Sequence, residues 1–244
     1  MLGITVQLLI SWLLVWLFEK QDLRVLGLVP TKNRVFDLFI FFMITAVCCS
    51  TGFLLKMYFG GLRWELNPKL TFNLIAEGLW WHTRSVLYEE LIFRGVILYI
   101  LLKRIGSTKA VIVSAIAFGI YHWFSFNILG NWMQMAFVFI MAGTMGLLLA
   151  FGYVKTLSLY VPIGIHLGWN FTQGFVFSDG PIGVGILKQV GNEQFRTGSY
   201  LVFYTVLLLP MILMLLINFY LLRKKKPVHL PRSKRLPNTV VNEG

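Results

Sequence analysis

The stretch SVLYEELIFRGVILYILL, residues 85–102, places three charged side chains inside a run that otherwise reads as a lipid-soluble helix. These side chains are Glu89, Glu90 and Arg94. A charged side chain at the centre of a bilayer costs at least about 2.5–3.5 kcal/mol on insertion scales, so such residues are rare and usually functional. The stretch therefore predicts a membrane helix that carries a functional site.

The whole chain has the composition of a membrane protein. Of its 244 residues, 57% are hydrophobic and 13% are charged, whereas soluble domains are about 25% charged. The net charge of +12 comes from basic residues that lie between and after the apolar runs, which is typical of a topology signal, and we expect no nucleic-acid partner. The two cysteines, Cys48 and Cys49, are neighbours in an apolar run and are expected to be buried thiols.

Seven apolar runs approach the roughly 20 residues that a helix needs to cross a bilayer. They cover residues 2–18, 36–55, 74–102, 110–126, 132–153, 157–177 and 200–222. These runs predict an all-α fold, a polytopic transmembrane bundle over residues 1–222 around a polar cavity inside the membrane. Residues 223–244 are basic and contain proline, which predicts a disordered cytoplasmic tail at the lipid surface.

Loop charges predict the orientation of the chain. Most loop lysines and arginines fall on the same side as the C-terminal tail, so the positive-inside rule predicts a cytoplasmic C-terminus. With seven spans the N-terminus lies outside. The first run lacks a basic leader and a small-residue cleavage site, which favours a retained anchor. The short loops and compact chain favour a bacterial plasma membrane.

The spacing of Glu89, Glu90 and Arg94 in the sequence indicates different roles for the two glutamates. Glu90 and Arg94 are four residues apart and can pair on one helix face, whereas Glu89 is rotated by about 100°. Glu89 is thereby left available for chemistry. The plainer alternative is that both carboxylates share the arginine as packing contacts.

Two further motifs contribute polar groups at helical spacing. The segment AFGIYHWF contains Phe118 and, four residues later, His122; the segment VPIGIHLGWNF contains His166 and, four residues later, Asn170. Taken singly, such residues are commonly hydrogen-bonded contacts between spans. From the helix rise per residue, however, Glu89 and these groups lie at similar depths. We therefore expect them to meet in one polar pocket.

Such a pocket contains what peptide hydrolysis requires. Glu89 could act as general base for a water molecule that one histidine also holds, while the other histidine and Asn170 donate to the oxyanion. Alternatively, Glu89, His122 and His166 match the ligand set of a catalytic divalent metal ion such as zinc. The residue pattern leaves both chemistries open. The sequence contains no HExxH motif, which excludes the common zincin layout.

The three motifs together resemble those of a known family. EELIFR, FGIYH and HLGWN match, in order and without substitution, the EExxxR, FxxxH and HxxxN/D motifs of the CAAX protease and bacteriocin-processing family (CPBP or Abi) of intramembrane endopeptidases. The resemblance covers a core of about residues 85–177. It implies a helical bundle whose embedded cavity binds a membrane-associated or C-terminal peptide segment that can be lipidated. Membrane lipid and such a peptide or protein substrate are the expected partners.

The resemblance also implies a role for each motif residue. Glu89 and His122 would position water, and His166 and Asn170 would stabilise the oxyanion. Three structural residues, Glu90, Arg94 and Phe118, would brace the helices around them. The resemblance does not indicate whether the reaction depends on a metal ion. A metal ion, if one is used, would be held by Glu89, His122 and His166.

The sequence leaves open two alternative functions and the position of one further histidine. The family includes members linked to bacteriocin self-protection, so a non-catalytic immunity protein is one alternative. A proton-coupled transporter using the same buried groups is another, although no internal repeat supports it. His82, seven residues before Glu89, could line the mouth of the cavity or simply lie at the membrane interface.

Overall fold

The computed structural model describes residues 2–178, 183–191 and 194–228. In this part of the chain there are eight α-helices and two short strands. In chain order they are α1 (Leu2–Glu19), α2 (Lys32–Gly60), β1 (Trp64–Leu66), α3 (Phe72–Phe93), α4 (Val96–Ile105), α5 (Ser107–Ser125), α6 (Trp132–Thr156), α7 (Tyr160–Phe171), β2 (Leu187–Gln189) and α8 (Tyr200–Lys224). The prediction of an all-α helical bundle is confirmed.

Four helices, α1, α2, α6 and α8, are long and apolar enough to cross a membrane. Their large side chains largely point outward, as in α1, where Leu9 and Trp12 are exposed. Such surfaces are stable in lipid, where the surroundings are as apolar as the side chains. The chain is therefore an integral membrane protein. The seven spans, the outward N-terminus and the bacterial plasma membrane stay predictions.

The predicted single run 74–102 is wrong as one helix, because the chain breaks between α3 and α4. Gly95 adopts φ −79° and ψ −133°, and a Cβ at this position would lie 2.1 Å from the Leu91 carbonyl oxygen. The break also frees the Phe93 carbonyl, which accepts a hydrogen bond of 2.9 Å from Ser114 of α5. A glycine thus ends α3 just after the two glutamates and the arginine.

Helix α7 packs along α2 through a glycine face. A Cβ on Gly164 would lie 2.6 Å from the Leu38 carbonyl oxygen, and one on Gly168 would lie 2.5 Å from that of Phe42. Small residues allow such close approach of membrane helices. His166 lies midway between the two glycines, on the opposite face of the helix. The glycine contact therefore turns His166 away from α2.

The predicted run 157–177 contains α7 followed by a π-helical turn, Thr172–Val176. Beyond it the chain forms β2, which pairs antiparallel with β1 and was not predicted. Phe177 stacks on Phe53 of α2 with ring centroids 4.0 Å apart, and Asn67 Nδ2 donates to the Gly185 carbonyl at 2.8 Å. These contacts close one end of the bundle.

The main apolar core joins α2, α6, α7 and α8 through buried residues such as Phe41, Leu149, Ile165 and Met214. Cys48 and Cys49 are both buried, as the sequence predicts. At the C-terminal end, α8 continues to Lys224, two residues past the predicted boundary of the bundle. The part of the predicted tail formed by residues 229–244 lies outside the described residues.

Candidate active site

Three helices bring Glu89, His122 and His166 together. The Oε2 atom of Glu89, on α3, lies 3.9 Å from Nε2 of His122 on α5. The same oxygen lies 3.8 Å from Nε2 of His166 on α7. All three side chains are largely shielded, with side-chain exposures of 11%, 12% and 3% in that order. One carboxylate oxygen therefore faces two imidazole nitrogens inside the bundle.

Glu90 and Arg94 form a fully buried ion pair beside this group. Nη1 of Arg94 lies 3.2 Å from Oε1 of Glu90, and both side chains are 0% exposed. Arg94 also donates to the Gly146 carbonyl of α6 at 3.4 Å. Its guanidinium carbon lies 4.1 Å from the centroid of the Phe118 ring. Buried charges need such partners, so this arrangement connects α3, α5 and α6.

A contact that the sequence did not predict joins Glu90 to His166. Nδ1 of His166 lies 2.7 Å from Oε1 of Glu90, the oxygen that also pairs with Arg94. A carboxylate beside a guanidinium is ionised and only accepts hydrogen bonds, so His166 donates through Nδ1. This bond fixes the ring and points Nε2 at Glu89.

His122 is fixed in a similar way by its own helix. Its Nδ1 lies 2.8 Å from the Phe118 carbonyl oxygen, and a carbonyl oxygen only accepts, so Nδ1 carries the proton. The Phe118 ring packs against His122 at 4.4 Å and against His166 at 5.8 Å. Phe118 therefore separates the two imidazoles from the apolar core and holds both rings.

Asn170 and Tyr121 lie at the margin of the group. Asn170 is half-buried and stands one turn after His166 on the same face of α7. Tyr121, which the motif pattern did not single out, packs edge-on to His122 with centroids 5.4 Å apart and lies 5.2 Å from Phe93. Its position directly before His122 is the one signal in the sequence that could have placed Tyr121 beside the candidate site.

His82 is buried inside the bundle. It is 3% exposed, and neither ring nitrogen has a hydrogen-bond partner among the described residues. Its ring is surrounded by those of Trp81 at 4.9 Å, Phe171 at 5.8 Å and Phe175 at 6.4 Å. Residues of the π-turn following α7 therefore cover this face of α3.

The donor atoms of Glu89, His122 and His166 are of the kinds that bind zinc, but their spacing differs from that of a tetrahedral site. Ligands of a tetrahedral zinc ion lie about 3.4 Å from one another, whereas the oxygen-to-nitrogen distances here are 3.9 Å and 3.8 Å. Within residues 2–178, 183–191 and 194–228, no group of three His, Cys, Asp or Glu side chains is arranged to hold a metal ion.

Comparison with known proteins agrees with the motifs. Residues 71–172 match the family model described as Type II CAAX prenyl endopeptidase Rce1-like. The chain matches no curated protein and no solved structure significantly. The matched segment runs from the start of α3 to the end of α7 and contains every motif residue described above. Residues 71–172, less than half of the chain, are therefore similar to the Rce1-like, type II CAAX prenyl endopeptidase family.

Proposed function

We propose that this protein hydrolyses a peptide bond of a membrane-associated or C-terminal peptide substrate through a water molecule activated by Glu89. The observation that carries the proposal is the position of Glu89 Oε2, which lies 3.9 Å from Nε2 of His122 and 3.8 Å from Nε2 of His166. This oxygen is buried and has no hydrogen-bond partner among the described residues. A carboxylate so placed is available to take a proton from water.

The two histidines receive different roles from their Nδ1 partners. The Nδ1 of His122 donates to a neutral carbonyl, so its Nε2 keeps a lone pair and accepts a hydrogen from the water. The Nδ1 of His166 faces the Glu90 carboxylate at 2.7 Å, which supplies the negative charge that a protonated imidazole needs. His166 can therefore present an Nε2–H donor to a developing oxyanion, with the Asn170 amide beside it.

The reaction follows from these roles. Glu89 takes a proton from the water molecule while the water oxygen attacks the substrate carbonyl carbon. The carbonyl oxygen becomes an oxyanion, which His166 and Asn170 bind. Glu89 then gives the proton to the amide nitrogen, the carbon–nitrogen bond breaks, and a carboxylic acid and an amine leave. Glu90, Arg94 and Phe118 do not touch the substrate in this scheme; they hold the reacting groups in place.

The experiment measures cleavage of a synthetic peptide that ends in a CAAX box, in S-farnesylated and unmodified forms, by the purified full-length protein in lipid nanodiscs. We expect cleavage by the wild-type protein and a loss of about 10²–10⁴-fold in Glu89→Gln, the usual contribution of a general base. Mass spectrometry of the products identifies the bond that is cut.

The matched control is Glu77→Gln, because Glu77 lies on the same helix, α3, and is exposed. It should cleave like the wild-type protein. Cleavage by Glu89→Gln at the wild-type rate would overturn the assignment of Glu89 as base. Absence of cleavage of either peptide by a folded wild-type protein would count against hydrolysis of this substrate class.

A further inference from the structure

A polar cleft lies at the start of α3, away from the candidate active site. Its volume is about 620 Å³, within the range of about 300–1,000 Å³ that is usual for small-molecule sites. One wall is the first part of α3, with Asn73 and Glu77; the other contains Lys69, just before α3, and Lys188 of β2. Glu77 precedes Glu89 by twelve residues, a rise of about 18 Å along the helix. The cleft is therefore separate from the reacting groups.

Buried contacts hold the second wall of the cleft in place. Asn67 lines the cleft and is 7% exposed. Its Nδ2 donates to the Gly185 carbonyl at 2.8 Å, and its Oδ1 accepts from the backbone N–H of Lys69 at 3.0 Å. Gly185 leads directly into β2, which carries Lys188. Asn67 thus fixes the backbone beside both lysines.

The charges that line the cleft have no partners of opposite sign in the described part of the protein. Lys69, Glu77 and Lys188 are exposed, and none of them forms an ion pair with another described residue. Glu65 lies opposite Lys188 in the β ladder, but these two side chains are not paired either. Two ammonium groups and one carboxylate therefore remain available to a ligand that carries charges of both signs.

The cleft lies at the level expected for phospholipid headgroups. Tyr58 near the end of α2, Phe72 at the start of α3 and Tyr200 at the start of α8 are 80%, 82% and 85% exposed. These helix ends belong to one end of the bundle, where a Cβ on Gly60 would lie 2.5 Å from the ring of Phe195. Exposed aromatic side chains of membrane proteins collect at the membrane–water interface. Headgroups of the surrounding lipid are therefore within reach of the cleft.

We propose that the cleft binds the headgroup of a phosphatidylethanolamine, with the phosphate at Lys69 and Lys188 and the primary ammonium at Glu77. This binding goes beyond the proposed hydrolysis and does not depend on it. Lysine ammonium groups bind phosphate, and the positive end of the α3 dipole adds to the attraction.

The carboxylate in the cleft selects between the two common zwitterionic headgroups. Glu77 accepts hydrogen bonds from the N–H donors of a primary ammonium group. A choline group has no such donors and is recognised by aromatic cages, whereas no aromatic side chain among the described residues lines the cleft. Ethanolamine therefore fits the cleft better than choline.

The test measures lipid binding by the purified, delipidated full-length protein in detergent micelles, followed by native mass spectrometry. The ligands are dioleoyl-phosphatidylethanolamine, dioleoyl-phosphatidylcholine and dioleoylglycerol, which carry the same acyl chains. We expect phosphatidylethanolamine to bind at least about tenfold more tightly than phosphatidylcholine, because a hydrogen bond to a charged group contributes about that factor. Dioleoylglycerol, which has no phosphate, should bind more weakly than both.

Two variants assign the headgroup contacts. Glu77→Gln should remove the preference for phosphatidylethanolamine and leave the affinity for phosphatidylcholine unchanged. Lys69→Gln/Lys188→Gln should weaken binding of both phospholipids by at least about tenfold. The matched control is Arg84→Gln/Arg196→Gln, which removes two positive charges from exposed positions outside the cleft and should bind like the wild-type protein.

Circular dichroism of each lipid-free variant checks that it is folded, which is expected because every changed side chain is exposed. Equal affinity of the wild-type protein for the two phospholipids overturns the proposal, as does unchanged affinity in the folded Lys69→Gln/Lys188→Gln protein. Displacement of phosphatidylethanolamine by equimolar inorganic phosphate would identify a site for a free anion and would also overturn it. None of these results depends on Glu89, so each can be distinguished from failure of the proposed hydrolysis.

Discussion

The Nδ1 atom of His166 lies 2.7 Å from Oε1 of Glu90, although the two residues are 76 positions apart in the chain. The same carboxylate oxygen lies 3.2 Å from Nη1 of Arg94. Glu90 therefore connects the buried ion pair of α3 to the imidazole that faces Glu89. This relationship makes the second glutamate of the EELIFR motif a positioning residue with measurable consequences.

Replacing Glu90 with Gln should lower kcat by about 10–100-fold with little change in KM, by analogy with groups that orient catalytic histidines. The amide cannot supply the charge that a protonated His166 needs, so the oxyanion donor weakens while the substrate still binds. Steady-state cleavage of the CAAX peptide provides the measurement. Glu77→Gln is again the control, and a change confined to KM would contradict the positioning role.

The ion pair itself predicts a coupled effect on stability. Arg94→Met should lower the free energy of unfolding by about 3–5 kcal/mol, because it leaves the Glu90 charge buried without its partner. The double variant Glu90→Gln/Arg94→Met removes both charges and should be less destabilised than the sum of the two single variants. Denaturation in mixed micelles measures all three. Additive losses would mean that the pair is not coupled.

Gly95 is expected to be intolerant of any side chain. A Cβ there would lie 2.1 Å from the Leu91 carbonyl oxygen, so Gly95→Ala must move the end of α3 that carries Glu89 and Glu90. We expect a loss of stability of about 1–3 kcal/mol together with a loss of cleavage. Thermal unfolding and peptide cleavage provide the measurements.

The control for Gly95 is Gly143→Ala in α6. A Cβ at Gly143 would meet its nearest neighbour, the Ala115 carbonyl oxygen, at an ordinary 3.8 Å. Alanine is also the better helix former, by up to about 1 kcal/mol. This variant should be at least as stable as the wild-type protein. Equal stability of Gly95→Ala and Gly143→Ala would show that the backbone at Gly95 adapts.

Removal of divalent metal ions should leave cleavage unchanged. The distances of 3.9 Å and 3.8 Å around Glu89 Oε2 are wider than those among the ligands of a tetrahedral zinc ion, about 3.4 Å. The measurement is cleavage after exhaustive dialysis against a chelator, with elemental analysis of the same sample. Loss of activity that zinc restores would instead identify Glu89, His122 and His166 as metal ligands.

The sequence was informative where the relationship lies within one helix. The spacing of Glu90 and Arg94 predicted a pair on one face, and the structure contains that pair at 3.2 Å. Phe118 with His122, and His166 with Asn170, also follow from the four-residue period. The lengths and hydropathy of the apolar runs were sufficient to predict the all-α bundle. The roles of these residues in chemistry remain predictions until cleavage is measured.

The sequence was less informative where the backbone departs from a regular helix. The break at Gly95 was hidden because Val96 and the residues after it continue the apolar run, and hydropathy does not register a backbone conformation. The residues that pair between strands β1 and β2 lie 121 to 125 positions apart in the chain, and each strand is three residues long. No periodicity can be read from so short a segment.

By itself, the sequence determined which residues share a helix face and that the bundle is embedded in lipid, because helical periodicity and hydropathy are local properties of the chain. Only the tertiary structure decided that Glu90 holds His166, that Glu89 faces both Nε2 atoms, and that His82 is buried beside the π-turn. Those contacts depend on how α3, α5 and α7 pack, and their packing depends on backbone approach at residues such as Gly164 and Gly168. Contacts between helices arise from shape complementarity across the whole bundle, which no single segment encodes.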